Sequence, residues 1–130
     1  MRLAKGRVRG PGRGRAALVA AVLAVVSAAP ASAQPITVTA GEHADFTRVV
    51  LQSRSAFPAE LVEDGADLRI LVPGRPIALD PARLFARIPR DRLSAARIDE
   101  GALVLTRPCA CPAELIAVRP GVLAIDLRDG

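Results

Sequence analysis

The sequence predicts an all-β fold, a small antiparallel β-sandwich of about seven short strands with one or two short helical turns. Two observations predict it. Beyond residue 34, Gly, Pro and Asp clusters punctuate the chain about every 8 to 12 residues, the rhythm of strands in sandwiches and open barrels. The stretches between them are short, aliphatic or β-branched, and several alternate in polarity as half-buried strands do. Only Phe46, Phe57 and Phe85 are aromatic, so the core has to be built from aliphatic side chains.

The chain opens with a different kind of segment. Arg2, Lys5, Arg7, Arg9, Arg13 and Arg15 precede an unbroken apolar run from Ala16 to Val26, Pro30 interrupts it, and Ala31-Ser32-Ala33 follows. Charge, apolar core and an A-x-A site in that order make a secretory signal peptide, cut between Ala33 and Gln34. The apolar stretch from Ala16 to Ala29 has 14 residues, short of the roughly 20 needed to span a bilayer, so no stable membrane span is expected after cleavage. No Cys stands at the cut to carry a lipid, and the absence of an adjacent Arg pair favours general secretion. The mature protein is expected in the periplasm or outside the cell.

Cleavage changes the electrostatics. The whole chain carries a formal charge of +5, but residues 34–130 hold 12 Arg, no Lys and 13 acidic residues, a net charge of −1 with His43 neutral. A near-neutral module without Tyr or Trp has neither the basic footprint nor the stacking surfaces of a nucleic-acid binder. Its 97 residues suffice for one domain.

The elements follow in order. Ile36–Thr39 alternates and is β-branched, and Ala40-Gly41 ends it. Phe46–Gln52 is the strongest strand signal of the first half: Phe46, Arg48, Val50 and Gln52 face one way, Thr47, Val49 and Leu51 the other. Ala59–Val62 is a short strand before the turn Glu63-Asp64-Gly65. Asp67–Val72 is closed by Pro73-Gly74, and Pro76–Leu79 is a short edge strand. Asp80 caps a helical turn with Pro81 at its first position, and Leu84, Phe85 and Ile88 share its apolar face until Pro89 stops it. A second short turn covers Pro89–Leu93. Ala95–Ile98 and Ala102–Arg107 form a hairpin across Asp99-Glu100-Gly101. Pro108–Pro112 breaks the pattern, and Glu114–Arg119, Pro120-Gly121 and Val122–Arg128 make the clearest hairpin of the chain.

Two local features stand out. Cys109-Ala110-Cys111 is flanked by Pro108 and Pro112. An oxidising compartment disfavours free thiols, yet in an extended strand the two Cα atoms would lie about 6.6 Å apart, near the upper limit for a disulfide. A bridge between Cys109 and Cys111 therefore requires a bend, which the prolines supply. The alternatives are two buried thiols, a reducible redox pair, or a metal site completed by the distant His43. The second feature is the arginine cluster Arg83, Arg87, Arg90 and Arg92 in and around the helical turn. Arg83 and Arg87 are four apart and share a face, and such a cluster could hold a carboxylate or phosphate bidentately, or form a solvated face balanced by Asp80 and Asp91.

No catalytic set is recognisable. G-x-S-x-G, H-E-x-x-H and Gly-rich phosphate loops are absent. His43 reads as a solvated loop residue, since acid–base work would need a nucleophile or metal beside it. Asp64, Asp67, Asp80 and Asp91 sit beside turn formers. Neither cofactor nor metal is expected.

Phe46-Thr47-Arg48-Val49-Val50-Leu51 and Val122-Leu123-Ala124-Ile125-Asp126-Leu127 together resemble the AMIN domain, a periplasmic module with an early T-R-[VI]-V-[LF] strand and a final R-L-V-[IV]-D-[LF] strand. The resemblance implies a small β-sandwich that binds or localises to peptidoglycan; the Arg83 to Arg97 stretch and the Cys109/Cys111 loop lie outside the pattern. Gly41 to Arg48, Ile88-Pro89-Arg90, Cys109-Ala110-Cys111 and Asp126 to Gly130 also resemble the N-terminal module of long uncharacterised exported proteins of GC-rich Gram-negative bacteria. In those a His often follows the second Cys, where Pro112 stands here. They also continue past the position of Gly130, which raises the expectation of a truncated form or of a module whose partner is another chain.

The expected function is a non-enzymatic envelope module for binding or localisation, with cell-wall glycan or an envelope protein as partner. The alternatives are a redox or metal-binding module centred on Cys109 and Cys111, and the N-terminal fragment of a larger exported enzyme.

Overall fold

The computed structural model describes residues 34–130. The signal peptide expected over residues 1–33, with its cleavage segment, lies outside the described residues. The described chain folds as two β-sheets and one short helix. The strands in chain order are β1 (Ile36–Glu42), β2 (Phe46–Gln52), β3 (Glu60–Asp64), β4 (Asp67–Leu71) and β5 (Ile77–Ala78), then helix α1 (Pro81–Phe85), then β6 (Ala95–Asp99), β7 (Ala102–Thr106), β8 (Ala113–Arg119) and β9 (Val122–Arg128). One sheet has the order β5-β1-β2-β9-β8, the other β3-β4-β7-β6. The all-β expectation holds, with nine strands rather than about seven. No helix among the described residues is long and apolar enough to cross a membrane.

Strand parity builds the core. Val49 and Leu51 of β2 and Ile125 and Leu127 of β9 point inward from the first sheet, and Leu68, Ile70, Leu103 and Leu105 from the second; each is fully buried in one cluster. Burying an aliphatic side chain of this size stabilises by roughly 1.5–3 kcal/mol relative to exposure. Phe57 is the one phenylalanine in that cluster of buried residues; Phe46 and Phe85 are only partly buried. Helix α1 packs Leu84 into the same core. Asp80 caps it as expected, its carboxylate accepting from the Arg83 N–H at 3.4 Å, with Pro81 at the first helical position.

Strands far apart in sequence are neighbours. β2 and β9 pair antiparallel over their full length, with Arg48 opposite Asp126 and Val49 opposite Ile125. β5 is the one departure from antiparallel pairing. It runs parallel to β1 and touches only Ile36 and Thr37, and β1 itself extends past the expected stop to Glu42. Pro89–Leu93, expected as a second turn, contains no helix. The Asp99–Ala102 hairpin turns through Glu100 and Gly101, both at positive φ (50° and 79°), the backbone of a type I′ turn. Gly121 turns the β8–β9 hairpin at φ 83°. A side chain there would also sit 2.5 Å from the Ser53 carbonyl oxygen, so glycine is needed for conformation and for space.

Candidate functional site

The arginine-rich segment is divided by the fold into a buried part and an open part. Arg92 is only 7 % exposed. It leaves the α1–β6 connection and enters the end of the sandwich at the β1–β2 turn. Its Nε donates to Asp129 Oδ1 at 2.7 Å, its Nη1 to Glu42 Oε2 at 2.9 Å, and its Nη2 to the Ala44 carbonyl at 3.0 Å. Nη1 also reaches the His43 carbonyl at 3.4 Å and Thr47 Oγ1 at 3.5 Å. Thr47, itself fully buried, donates to the other Glu42 oxygen at 2.6 Å. One planar fork thus ties β1, β2 and the segment after β9 to the loop before β6, a geometry that lysine cannot reproduce. The hydrogen bond with Asp129 raises the Arg92 pKa above its ordinary value, and the same bond holds the Asp129 carboxyl below the usual carboxylate range.

Arg90 is half committed. Its guanidinium lies 3.8 Å from the centre of the Phe85 ring, a cation–π contact, and Nη1 donates to the Ser94 carbonyl at 2.7 Å. Arg83 and Arg87 are different. Both are exposed, and neither side chain makes an ion pair or hydrogen bond among the described residues. They stand along a groove of about 690 Å³ between α1 and β1, whose strand side is Thr37 to Ala40 and whose near end is Asp80. Of the four arginines expected to hold an anion, the fold gathers Arg83 and Arg87 on this groove and commits Arg92 to internal acceptors.

The outward face of the first sheet carries a second arginine centre, which local sequence reading missed. Arg48 on β2 donates from Nε to Asp126 Oδ1 at 2.7 Å and from Nη2 to Oδ2 at 2.9 Å. Arg128 adds a third bond to Oδ2 at 3.3 Å. Asp126 has no exposure, whereas the Arg48 side chain is 34 % exposed. The hydrogen bond from Arg48, reinforced by its charge, holds the Asp126 carboxyl below its ordinary value despite burial, which acts the other way. Phe46 lies beside this centre. His43 stacks on its ring at 4.3 Å, with Arg128 and Arg48 at 4.8 and 5.5 Å from its centre. His43 is thus an exposed residue of the β1–β2 turn, as expected, that also stacks on Phe46. The signal for this centre was the Arg and Asp on the outward parity of their strands, but their separation of 78 residues concealed the pairing.

The sulfurs of Cys109 and Cys111 lie at bonding distance, with Cα atoms 5.1 Å apart. The loop is bent well inside the extended-strand spacing, as the bridge required. Arg107 Nη1 donates to the Cys111 carbonyl at 2.6 Å, and the Pro112 carbonyl accepts from the Arg128 N–H at 3.0 Å. The loop therefore abuts the last strand. Among the described residues no group of three or more His, Cys, Asp or Glu converges as a metal-ion cage.

No protein-family model, curated protein or solved structure matches the chain.

Proposed function

We propose that the protein is a non-enzymatic module of the cell envelope that binds or localises to peptidoglycan or to an envelope protein. The observation that carries this reading is the groove between α1 and β1, flanked by Arg83 and Arg87, two guanidinium groups without an acidic partner among the described residues. A guanidinium fork without an acceptor among the described residues is suited to an external carboxylate or phosphate. The envelope location rests on the leader sequence, and the peptidoglycan option on the resemblance of Phe46–Leu51 and Val122–Leu127 to the AMIN strands.

The test is recovery of the exported protein with purified sacculi and, after crosslinking in whole cells, with envelope proteins. The expected result is retention on one of the two, reduced as salt is raised, because arginine-led contacts at a surface are screened. Protein recovered entirely free of both would remove the reading.

A further inference from the structure

We propose that the open length of β1 takes an extended acidic peptide as an added strand of its sheet, with Arg83 and Arg87 pairing the peptide's carboxylates. This rests on the binding-module reading and names its ligand class and site.

The Ile36 N–H donates to the Pro76 carbonyl at 2.8 Å, so Ile36 faces the side of β1 away from β2. Successive residues of a strand alternate in that direction, so Ala40 and Glu42 also aim N–H and C=O groups away from β2. β5 covers this side only as far as Thr37 opposite Ala78, after which the chain turns into α1. Val38 has the parity of Ile36 and its N–H still falls opposite β5, so only Thr39–Glu42 has a partner strand on one flank alone, and the groove beside α1 lies along the other.

A strand edge of this kind is normally protected against stray pairing, as the outer strands β3, β6 and β8 are. β3 carries Glu60, Glu63 and Asp64. β6 carries Arg97 and Asp99. β8 carries Glu114 and Arg119 and has a bulge between Ala117 and Arg119. The part of β1 beyond β5 is Thr39 to Glu42, without proline or bulge; Thr39 is exposed, Ala40 turns its side chain into the core and keeps only 6 % exposure, and the one charge, Glu42, is committed to Arg92 and Thr47. An edge beside two arginines that have no acidic partner among the described residues fits strand addition, in which main-chain bonds supply affinity and side-chain contacts supply selectivity. Charge selects the occupant. Glu42, beyond the groove, is bound by Arg92 and Thr47, while Asp80 lines the groove and keeps its charge as the cap of α1. Arg83 and Arg87 outnumber it, so the groove's balance favours an acidic segment and disfavours a basic one.

The experiment titrates the exported protein with a short dye-labelled peptide alternating valine and glutamate, read by fluorescence anisotropy, with a valine–lysine peptide as control. The glutamate peptide is expected to bind and the lysine peptide not. Arg83→Glu together with Arg87→Glu is expected to weaken binding by at least about tenfold. In the unaltered protein, peptide should slow hydrogen exchange at the Ala40 amide. Equal binding of both peptides, or full binding by the charge-reversed protein with no change at the Ala40 amide, would overturn the proposal. Failure of the glutamate peptide up to about 1 mM, with retention on sacculi or an envelope protein preserved, would remove strand addition while leaving the module reading in place. Peptide binding without either retention would do the reverse.

Discussion

Arg83 and Arg92 lie within one turn-rich stretch of chain, yet they meet opposite environments. Arg92 is enclosed at the end of the sandwich, with acceptors from Glu42, Ala44 and Asp129 around its guanidinium. Arg83 stands with Arg87 on an open groove and has no acidic partner among the described residues. The difference is made by other parts of the chain. The β1–β2 turn and the segment after β9 converge on Arg92, whereas the strand facing Arg83 and Arg87 offers uncharged residues. Arginine in a small β module thus serves as an internal tie in one place and stands exposed on a groove in another.

The largest effect is expected from breaking the tie. Arg92→Ala leaves Glu42 and Asp129 without their shared counter-charge and Ala44 without its donor. A drop in Tm on the order of 10 °C is expected for a domain of this size, measured by thermal unfolding of the exported protein. Arg92→Lys should restore only part of it, because a single ammonium cannot span acceptors lying in the plane of a fork. A variant as stable as the parent would mean that the convergence on Arg92 does not hold the sandwich end closed.

The Arg48–Asp126 pair lies between these extremes, with one partner buried and the other partly in water. Asp126→Asn keeps the shape and removes the charge; the expected cost at neutral pH is about 1–2 kcal/mol, discounted because Arg48 can reach solvent. The folded Asp126 carboxyl titrates below its ordinary value of 3.8. Its stabilising contribution is therefore complete above about pH 4 and is lost as the pH falls through the lower folded value. Denaturant unfolding from pH 7 to pH 2 should show parent and Asp126→Asn curves converging below pH 4. Parallel curves throughout would show that ionisation of Asp126 is not what the pair contributes.

Much of the fold was legible because it is local. The alternation of Phe46–Gln52 assigned Val49 and Leu51 to the core and Arg48 to the outer face, and the structure agrees. Asp80-Pro81 announced its helix because capping needs only neighbouring residues. The bend at Cys109-Ala110-Cys111 followed from chain geometry. The pairing of β5 was not legible, since two residues in contact carry no periodicity. Nor was the length of β1: Gly41 ends a strand in isolation, but its register opposite Arg48 keeps it in the ladder. At the site, the shared face of Arg83 and Arg87 could be read from their spacing of four. The removal of Arg92 from that group could not, because Glu42 is 50 residues from it and Asp129 is 37.

The smallest stability effect is expected where the charge is available. Arg83→Ala with Arg87→Ala removes two exposed side chains without a carboxylate partner among the described residues, so Tm should move by less than about 2 °C. The apolar anchor of α1, Leu84, is untouched. Arginine stems can also cover apolar surface, and thermal unfolding tells the two roles apart. If the double replacement lowered Tm as far as Arg92→Ala does, Arg83 and Arg87 would be sealing the flank of the sandwich and the groove would be a structural joint. A small shift in Tm, with the salt-sensitive retention on sacculi or envelope protein lost, would separate the two arginine sites by role: one holds the fold together, and the other can be removed without disturbing it.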